Sequence, residues 1–317
     1  MPDRRSFLLS LTAAAATPWL PINVAAREST YPRRMLVLIE LQGGNDALNT
    51  VIPTAEPAYY AFRPTLAIPA SQAIPLDSST ALHPALRPLM PLWKSGELAV
   101  VRGVGHGAGT NSHARSIAAW ETGATAPGGD GRSWLERALD LGAGSARIQR
   151  LDPVPASGLS EDFSATAREA ARLASTRDCP AVIKLSMRGY DTHAAQAPTH
   201  GVLLDALARG IAQLADDLKR AGRWESALVM TYSEFGRRAV ENHQGGTDHG
   251  AGGMQLLCGG AIRGGLYGAA RLLDDGAGLA CEIDFRRVYA SVLDGWWGIP
   301  SVAILHGRYE PLPVLNA

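Results

Sequence analysis

An aspartate and a histidine stand two positions apart in Gly189-Tyr190-Asp191-Thr192-His193, soon after the apolar run Ala181 to Leu185. A carboxylate and an imidazole at that spacing, just past a strand, can converge on one cation. A second such pair, Asp248-His249, lies in Gly246-Thr247-Asp248-His249-Gly250. Three more polar groups follow apolar runs. Asp46 and Asn49 come after Met35 to Leu41, and Thr110, Ser112 and His113 come after Leu98 to Val104. Ser233, Glu234 and Arg237 come after Ser226 to Tyr232. Imidazoles and carboxylates gathered in one place suit Zn²⁺ or Mn²⁺, and carboxylate-rich corners suit Mg²⁺ or Ca²⁺. Crowded carboxylates without a cation raise one another's pKa, and a bound metal removes that cost. Each pair alone reads more readily as a solvated loop acid beside a loop histidine than as a ligand pair. Together, at every strand end, they point to a site.

The elements that must position these groups are legible from hydrophobic pattern. Met35-Leu36-Val37-Leu38-Ile39-Glu40-Leu41 is an apolar run suited to burial on both faces. Gly43-Gly44 after it allows a tight turn or close backbone approach to a ligand. The run Leu98 to Val104 leads through the glycine-rich Gly105 to Gly109 into a helix from about Ser112 to Trp120. Ser112 at that start is a helix cap or a nucleophile activated by a cation. His106 and His113 are pocket or surface residues. Leu204, Leu207, Ile211, Leu214 and Leu218 recur at helical spacing and form one apolar face. A short helix is expected over Trp134 to Leu141 and a further helix over Ser160 to Ser175, with residues 142 to 160 irregular. Met254 to Cys258 is a fifth strand candidate, and Asp284 caps a last helix. Strands alternating with helices predict an α/β fold, three-layer α/β/α, with a mostly parallel sheet. In such a sheet the polar strand ends share one rim.

The composition sets bounds. The chain has 317 residues and a formal net charge of zero, with no basic excess to suggest nucleic-acid binding. Its 46% hydrophobic content is enough for a sizeable core. Cys258 sits in an apolar run and reads as a buried thiol, and Cys179 with Cys281 is the one pairing left open.

The N-terminus carries Arg4-Arg5-Ser6-Phe7-Leu8, a mildly apolar stretch to Leu20, and the small residues Val24-Ala25-Ala26. This reads as a twin-arginine export signal over residues 1–26, with a single domain expected over 27–317. Its removal takes away Asp3, Arg4 and Arg5 and leaves a net charge near −1. The apolar stretch is too short for a stable membrane anchor. The expected partner is the twin-arginine translocase, and the expected location periplasmic or extracellular.

Arg4-Arg5-Ser6-Phe7-Leu8, Gly43-Gly44-Asn45-Asp46-Ala47-Leu48-Asn49, Gly189-Tyr190-Asp191-Thr192-His193, Ser233-Glu234-Phe235-Gly236-Arg237 and Gly246-Thr247-Asp248-His249-Gly250 together resemble a known family. It is that of the twin-arginine-exported proteins catalogued as domain of unknown function 1501, grouped with the alkaline phosphatase and sulfatase superfamily. The resemblance runs from about residue 35 to 300. It implies an alkaline-phosphatase-like core, one or two divalent metal ions (Zn, Mn, Mg or Ca), and hydrolysis of phosphate or sulfate esters of a small molecule or glycan. It also implies roles. Asp46 resembles the first-strand metal carboxylate, and Asp191 and His193 resemble the Asp and His of the other metal. Asn111-Ser112 resembles the nucleophile position, with Arg237 or His113 neutralising the ester's equatorial oxygens. The sequence departs from the superfamily pattern at Glu234-Phe235-Gly236, where Asp-His-Gly is expected, and Ala251 stands where relatives carry a further histidine. Either Glu234 is a ligand with His249 as the late histidine, or Asp248-His249 is a displaced copy. The expected metal set is therefore Asp46, Asp191, His193, Glu234, Asp248 and His249. The other reading is a non-catalytic binding or assembly protein that keeps the fold.

Overall fold

The five apolar runs become the middle of one eight-stranded sheet. The structure, a computed structural model, describes residues 34–106, 112–124, 130–142, 147–152 and 159–316. The export signal read over residues 1–26 lies outside the described residues, as do Thr110 and Asn111. In chain order the strands are β1 (Met35–Gln42), β2 (Leu98–Gly105), β3 (Ile148–Arg150) and β4 (Val182–Arg188). They continue as β5 (Ala227–Tyr232), β6 (Gly253–Cys258), β7 (Gly265–Tyr267) and β8 (Ile283–Asp284). Across the sheet the order is β7-β2-β6-β5-β1-β4-β3, with β8 beside β2. β3, β4, β1 and β5 run parallel, so their carboxyl ends share one edge. β6 is antiparallel to both of its neighbours, β5 and β2. The fold is thus α/β with a mostly parallel sheet.

β1 is central and buried on both faces. Leu36 and Leu38 enter one core, and Val37, Ile39 and Leu41 enter the other. Period-two alternation puts successive side chains on opposite faces, so a strand covered twice reads as one continuous apolar run. Two long helices cover the Val37 face: α3 (Leu159–Ala174) and α4 (Gln196–Arg220). In α4 the side chains of Leu204, Leu207, Ile211, Leu214 and Leu218 are all buried, as their spacing requires. Burying each contributes about 1.5–3 kcal/mol, so Leu214→Ala would cost about 2–5 kcal/mol. The opposite core takes Trp120 from α1 (His113–Thr122), Trp134 from α2 (Trp134–Gly142), and the helix Phe285–Ala290. Asp284 caps that helix by accepting the Arg286 amide, and a further short helix, Ser301–Leu305, follows it, so it is not the last.

Two expectations need correction, and the open cysteine pairing is resolved. Residues 142–160 are not wholly irregular, because Ile148–Arg150 pairs in parallel with β4 at the sheet edge. The stretch carrying Asp248 and His249 is not a loop. Arg237–Glu241 and Thr247–His249 form an antiparallel hairpin. Cys179 and Cys281 are free thiols, while Cys258 is buried as its surroundings predict. Among the described residues no helix is long and apolar enough to cross a membrane.

Candidate metal centre

The hairpin folds back towards the carboxyl end of β4, and its turn backbone joins the segment before α4: Ala195 and Gln196 amides donate to the carbonyls of Gln244 and Gly245. Asn242 fixes the return. Its side-chain oxygen accepts the Gln244 and Gly246 amides, and its side-chain nitrogen donates to the His193 carbonyl at 2.9 Å. This carries His249 to Asp191. His249 Nε2 lies 3.1 Å from Asp191 Oδ1 and 3.0 Å from His193 Nε2. His193 Nε2 lies 3.0 Å from the same carboxylate oxygen, closing a near-equilateral triangle of donor atoms. A fourth group, His113, enters from the first turn of α1. Its Nε2 is 3.6 Å from Asp191 Oδ2. One donor atom from each of His113, Asp191 and His249 lies within 4.8 Å of the others.

Carboxylates stand behind two of these imidazoles. Glu234 Oε1 is 2.9 Å from His113 Nδ1. A carboxylate only accepts, so that ring carries a proton on Nδ1, and its Nε2 is the nitrogen turned towards Asp191. Asp248 Oδ1 stands 3.4 Å from His193 Nδ1, a longer version of the same arrangement. Two imidazole nitrogens 3.0 Å apart are held together by a proton on one of them or by a cation between them, and would repel with neither. The donor set fits a transition metal. Metal–ligand bonds of about 2.0–2.1 Å in a tetrahedron set donor atoms roughly 3.3 Å apart, close to the spacings here. Imidazole with carboxylate suits Zn²⁺ better than the all-oxygen shells of Ca²⁺ or Mg²⁺. Carboxylates that orient ligand imidazoles are a usual accompaniment of such sites. Asp191 is half exposed, so the cluster opens to solvent. Burial alone would raise its carboxyl, but hydrogen bonds from Arg237 and His249 hold it below the usual range. The Asn242 amide, followed by His193, holds Asp248 low as well.

The structure gives four of the expected site residues other places. Asp46 is fully buried and does not join the cluster. It caps the turn Ala47–Thr50 through the Leu48 and Asn49 amides, and Arg63 grips both its oxygens at 2.7 and 3.0 Å. Burial pushes its carboxyl up, yet the Arg63 charge and hydrogen bonds hold it below the usual carboxylate range. Glu234 and Asp248 stand behind imidazoles, with Glu234 buried and also accepting the Gly43 amide at 2.8 Å. Arg237 is buried and spends its N–H groups on the fold. Nε donates to the Gly44 carbonyl at 2.8 Å and Nη1 to the Thr247 carbonyl at 2.7 Å. Nη2 serves the carbonyls of Gly43 and Tyr190 and the Asp191 carboxylate. One guanidinium thus ties together the turn after β1, the turn after β4 and the hairpin. Ser112 occupies the N-cap position of α1, but its side chain makes no cap hydrogen bond.

Phe235 and the Tyr190–Asp191 backbone explain the double glycine. Its ring packs 4.3 Å from the His249 ring and 4.9 Å from the His113 ring, centre to centre. A Cβ on Gly44 would stand 2.3 Å from a Phe235 ring carbon, and one on Gly43 would stand 2.3 Å from the Asp191 amide nitrogen. Both glycines also hold positive φ, which a side chain would strain. Residues the sequence gave no reason to single out complete the support. Arg63 comes from a proline-rich stretch, and Gln196 donates to Asp46. His200 meets the Asn45 side-chain oxygen at 2.9 Å.

The fold and this cluster define a class: a mostly parallel α/β protein with imidazoles and a carboxylate converging at the carboxyl rim of its sheet. Residues 160–300 match the family described as "Protein of unknown function (DUF1501)", which bears out the family resemblance of the motifs in that stretch. No curated protein matches the sequence. Among solved structures, similarity is found to a Bacteroides thetaiotaomicron protein from work on the metabolism of multiple glycosaminoglycans. It is 10% identical, with a TM-score of 0.49, covering 87% of this chain and 75% of that one. A protein of the alkaline phosphatase superfamily from Vibrio parahaemolyticus is 12% identical, with a TM-score of 0.39 over 75% of this chain and 62% of that one. The C-terminal periplasmic domain of EptC from Escherichia coli, solved in complex with Zn, is 11% identical, with a TM-score of 0.42 over 73% of this chain and 74% of that one.

Proposed function

We propose that this chain is an exported hydrolase of phosphate or sulfate esters that works with one divalent metal. The observation that carries the proposal is a pair of donor triangles that share Asp191 and His249 at the solvent-facing rim, one completed by His193 and the other by His113. Asp191 and His249 belong to both donor triangles and would hold the ion, with His113 and His193 on either side. Bound there, the metal would supply Lewis acidity towards the ester oxygens. Glu234 and Asp248 fix which nitrogen of His113 and His193 carries the proton. Ser112 precedes His113 in the chain and leaves its hydroxyl out of the cap, so it is the candidate nucleophile. Its oxygen would attack phosphorus or sulfur, the alcohol would leave, and water would then release the serine ester. Residues 1–26 would direct the chain through the twin-arginine translocase to the periplasm or beyond.

A second reading has its own observation. Phe235 packs on two of the imidazoles, and Arg237 is consumed by backbone carbonyls. A binding or assembly protein that keeps the metal without turnover would tolerate both. One experiment separates the readings. The purified protein is assayed for bound metal and for turnover of an aryl phosphate and an aryl sulfate, beside Asp191→Ala, His249→Ala and Ser112→Ala. Stoichiometric metal with turnover that the substitutions abolish supports the hydrolase. Metal without turnover on either ester supports the binding protein. Protein that takes up no metal contradicts both.

A further inference from the structure

Glu234 has one well-served oxygen and one that the fold leaves short. Oε1 accepts the Gly43 amide at 2.8 Å and faces His113 Nδ1 at 2.9 Å. Among the described residues Oε2 faces only Ser233 Oγ, at 3.2 Å. A serine hydroxyl has a single proton. Ser233 Oγ stands 2.6 Å from the Leu41 carbonyl, a far better acceptor position, and itself accepts the Asn45 amide at 2.8 Å. Leu41 is the nearer acceptor for that proton, so among the described residues Oε2 is left with at most a long, shared hydrogen bond from Ser233, although Glu234 is only 4% exposed. A second atom is short of a partner nearby. His106 Nδ1 is buried without a hydrogen bond among the described residues. Burial pushes this imidazole below its usual range, so it is neutral near pH 7 and its nitrogen can give or take one hydrogen bond. Both residues line the same small cleft, with Ser116, Phe235, Gly250 and Ala251, and it has room for about one water.

We infer that this cleft holds an ordered water that donates to Glu234 Oε2 and meets His106 Nδ1, making His106 a positioning residue for His113. The water completes the donors around the buried carboxylate. The carboxylate then stays where it receives the His113 Nδ1 proton, and His113 Nε2 stays aimed at Asp191. The Trp120 indole already fixes the backbone at this point by donating to the Glu234 carbonyl at 2.9 Å. The side chain therefore depends on its own partners. The inference rests on the proposed metal-ligand role of His113.

The test uses the full chain and Zn²⁺ as the probe. Affinity is read by competition with a chromophoric chelator in the wild type, His106→Asn and His106→Phe. Asparagine can offer a polar atom close to the Nδ1 place, and phenylalanine fills the space without one. The expected result is an affinity about tenfold weaker in His106→Phe, typical for loss of a group behind a ligand, and within roughly threefold of wild type in His106→Asn. A high-resolution crystal structure of the wild type should show a water between His106 and Glu234. A dry cleft overturns the inference, whether or not the variants fold. So does a folded His106→Phe with wild-type affinity, or an equal loss in both variants. A wild type that binds no Zn²⁺ yet shows the water would retire the metal reading while leaving the water bridge standing.

Discussion

Replacing Arg237 with methionine should destabilise this protein, whatever it does to turnover. The guanidinium is fully buried and its contacts reach four backbone carbonyls, those of Gly43, Gly44, Tyr190 and Thr247, besides the Asp191 carboxylate. Methionine fills similar space but serves none of them. A buried acceptor stripped of its donor costs about 1–3 kcal/mol, and hydrogen bonds to charged groups contribute about 1.5–3 kcal/mol each. These do not add in full, because Asp191 is half exposed and water can reach it. The loss expected for breaking a buried charged network is about 3–5 kcal/mol. Urea titration followed by intrinsic fluorescence measures it directly, since a stability loss with unchanged m-value moves the midpoint in proportion. Arg237→Lys should recover only part, because one ammonium cannot fork to three segments. An Arg237→Met protein with the wild-type midpoint would refute the clamp. If that protein also lost turnover, Arg237 would return to the role of a cation for the ester's oxygens.

Other outcomes follow from the same geometry. His249→Ala should weaken Zn²⁺ binding by at least about 100-fold and Asp248→Asn by about tenfold, because one removes a donor and the other only its support; isothermal titration distinguishes them. Ca²⁺ should not displace Zn²⁺ at equal concentration, since nitrogen donors are poor ligands for it. Asp46 is held below the usual carboxylate range, so it stabilises the fold above its unfolded pKa of about 3.9, and that contribution is lost as pH falls through the folded value. Asp46→Asn should therefore flatten the acid limb of a stability–pH curve and cost about 3–5 kcal/mol at pH 7 by leaving Arg63 unpaired. His200 is buried with its pKa pushed down to about 4. The unfolded chain binds that proton first, so stability falls as pH drops from about 6.5 towards 4, by about 1.4 kcal/mol per pH unit for one histidine. His200→Gln should remove that share of the slope. His83, also pushed down to about 4, should preserve a similar share.

Much of this arrangement was legible in the sequence, and the parts that were not share a physical cause. Runs buried on both faces read as strands because parallel sheets demand continuous apolar segments, and the leucine stripe of α4 followed from helical period alone. Direction was not legible. Met254 to Cys258 is as apolar as its neighbours, and nothing in burial says that it runs antiparallel. Residue type marked Asp191, His193 and His249 as candidate donors, but it could not rank carboxylates by their partners. Asp46 satisfied every local criterion for a ligand and was claimed by Arg63, which comes from a segment with no recognisable pattern. Glu234 and Asp248 have ligand chemistry and ended one bond further out, because an imidazole stands between each of them and the centre. The hairpin that delivers His249 was hidden because its strands are short, polar and twisted by a register shift between Thr247 and His249.

The central claim is that one ion sits among these imidazoles. Anomalous diffraction at the zinc edge, from crystals of the protein equilibrated with Zn²⁺, tests it most directly. The account predicts a single strong peak about 2.0–2.2 Å from both a carboxylate oxygen of Asp191 and a ring nitrogen of His249. A peak centred on Asp46 and Arg63, or none near Asp191, would contradict it.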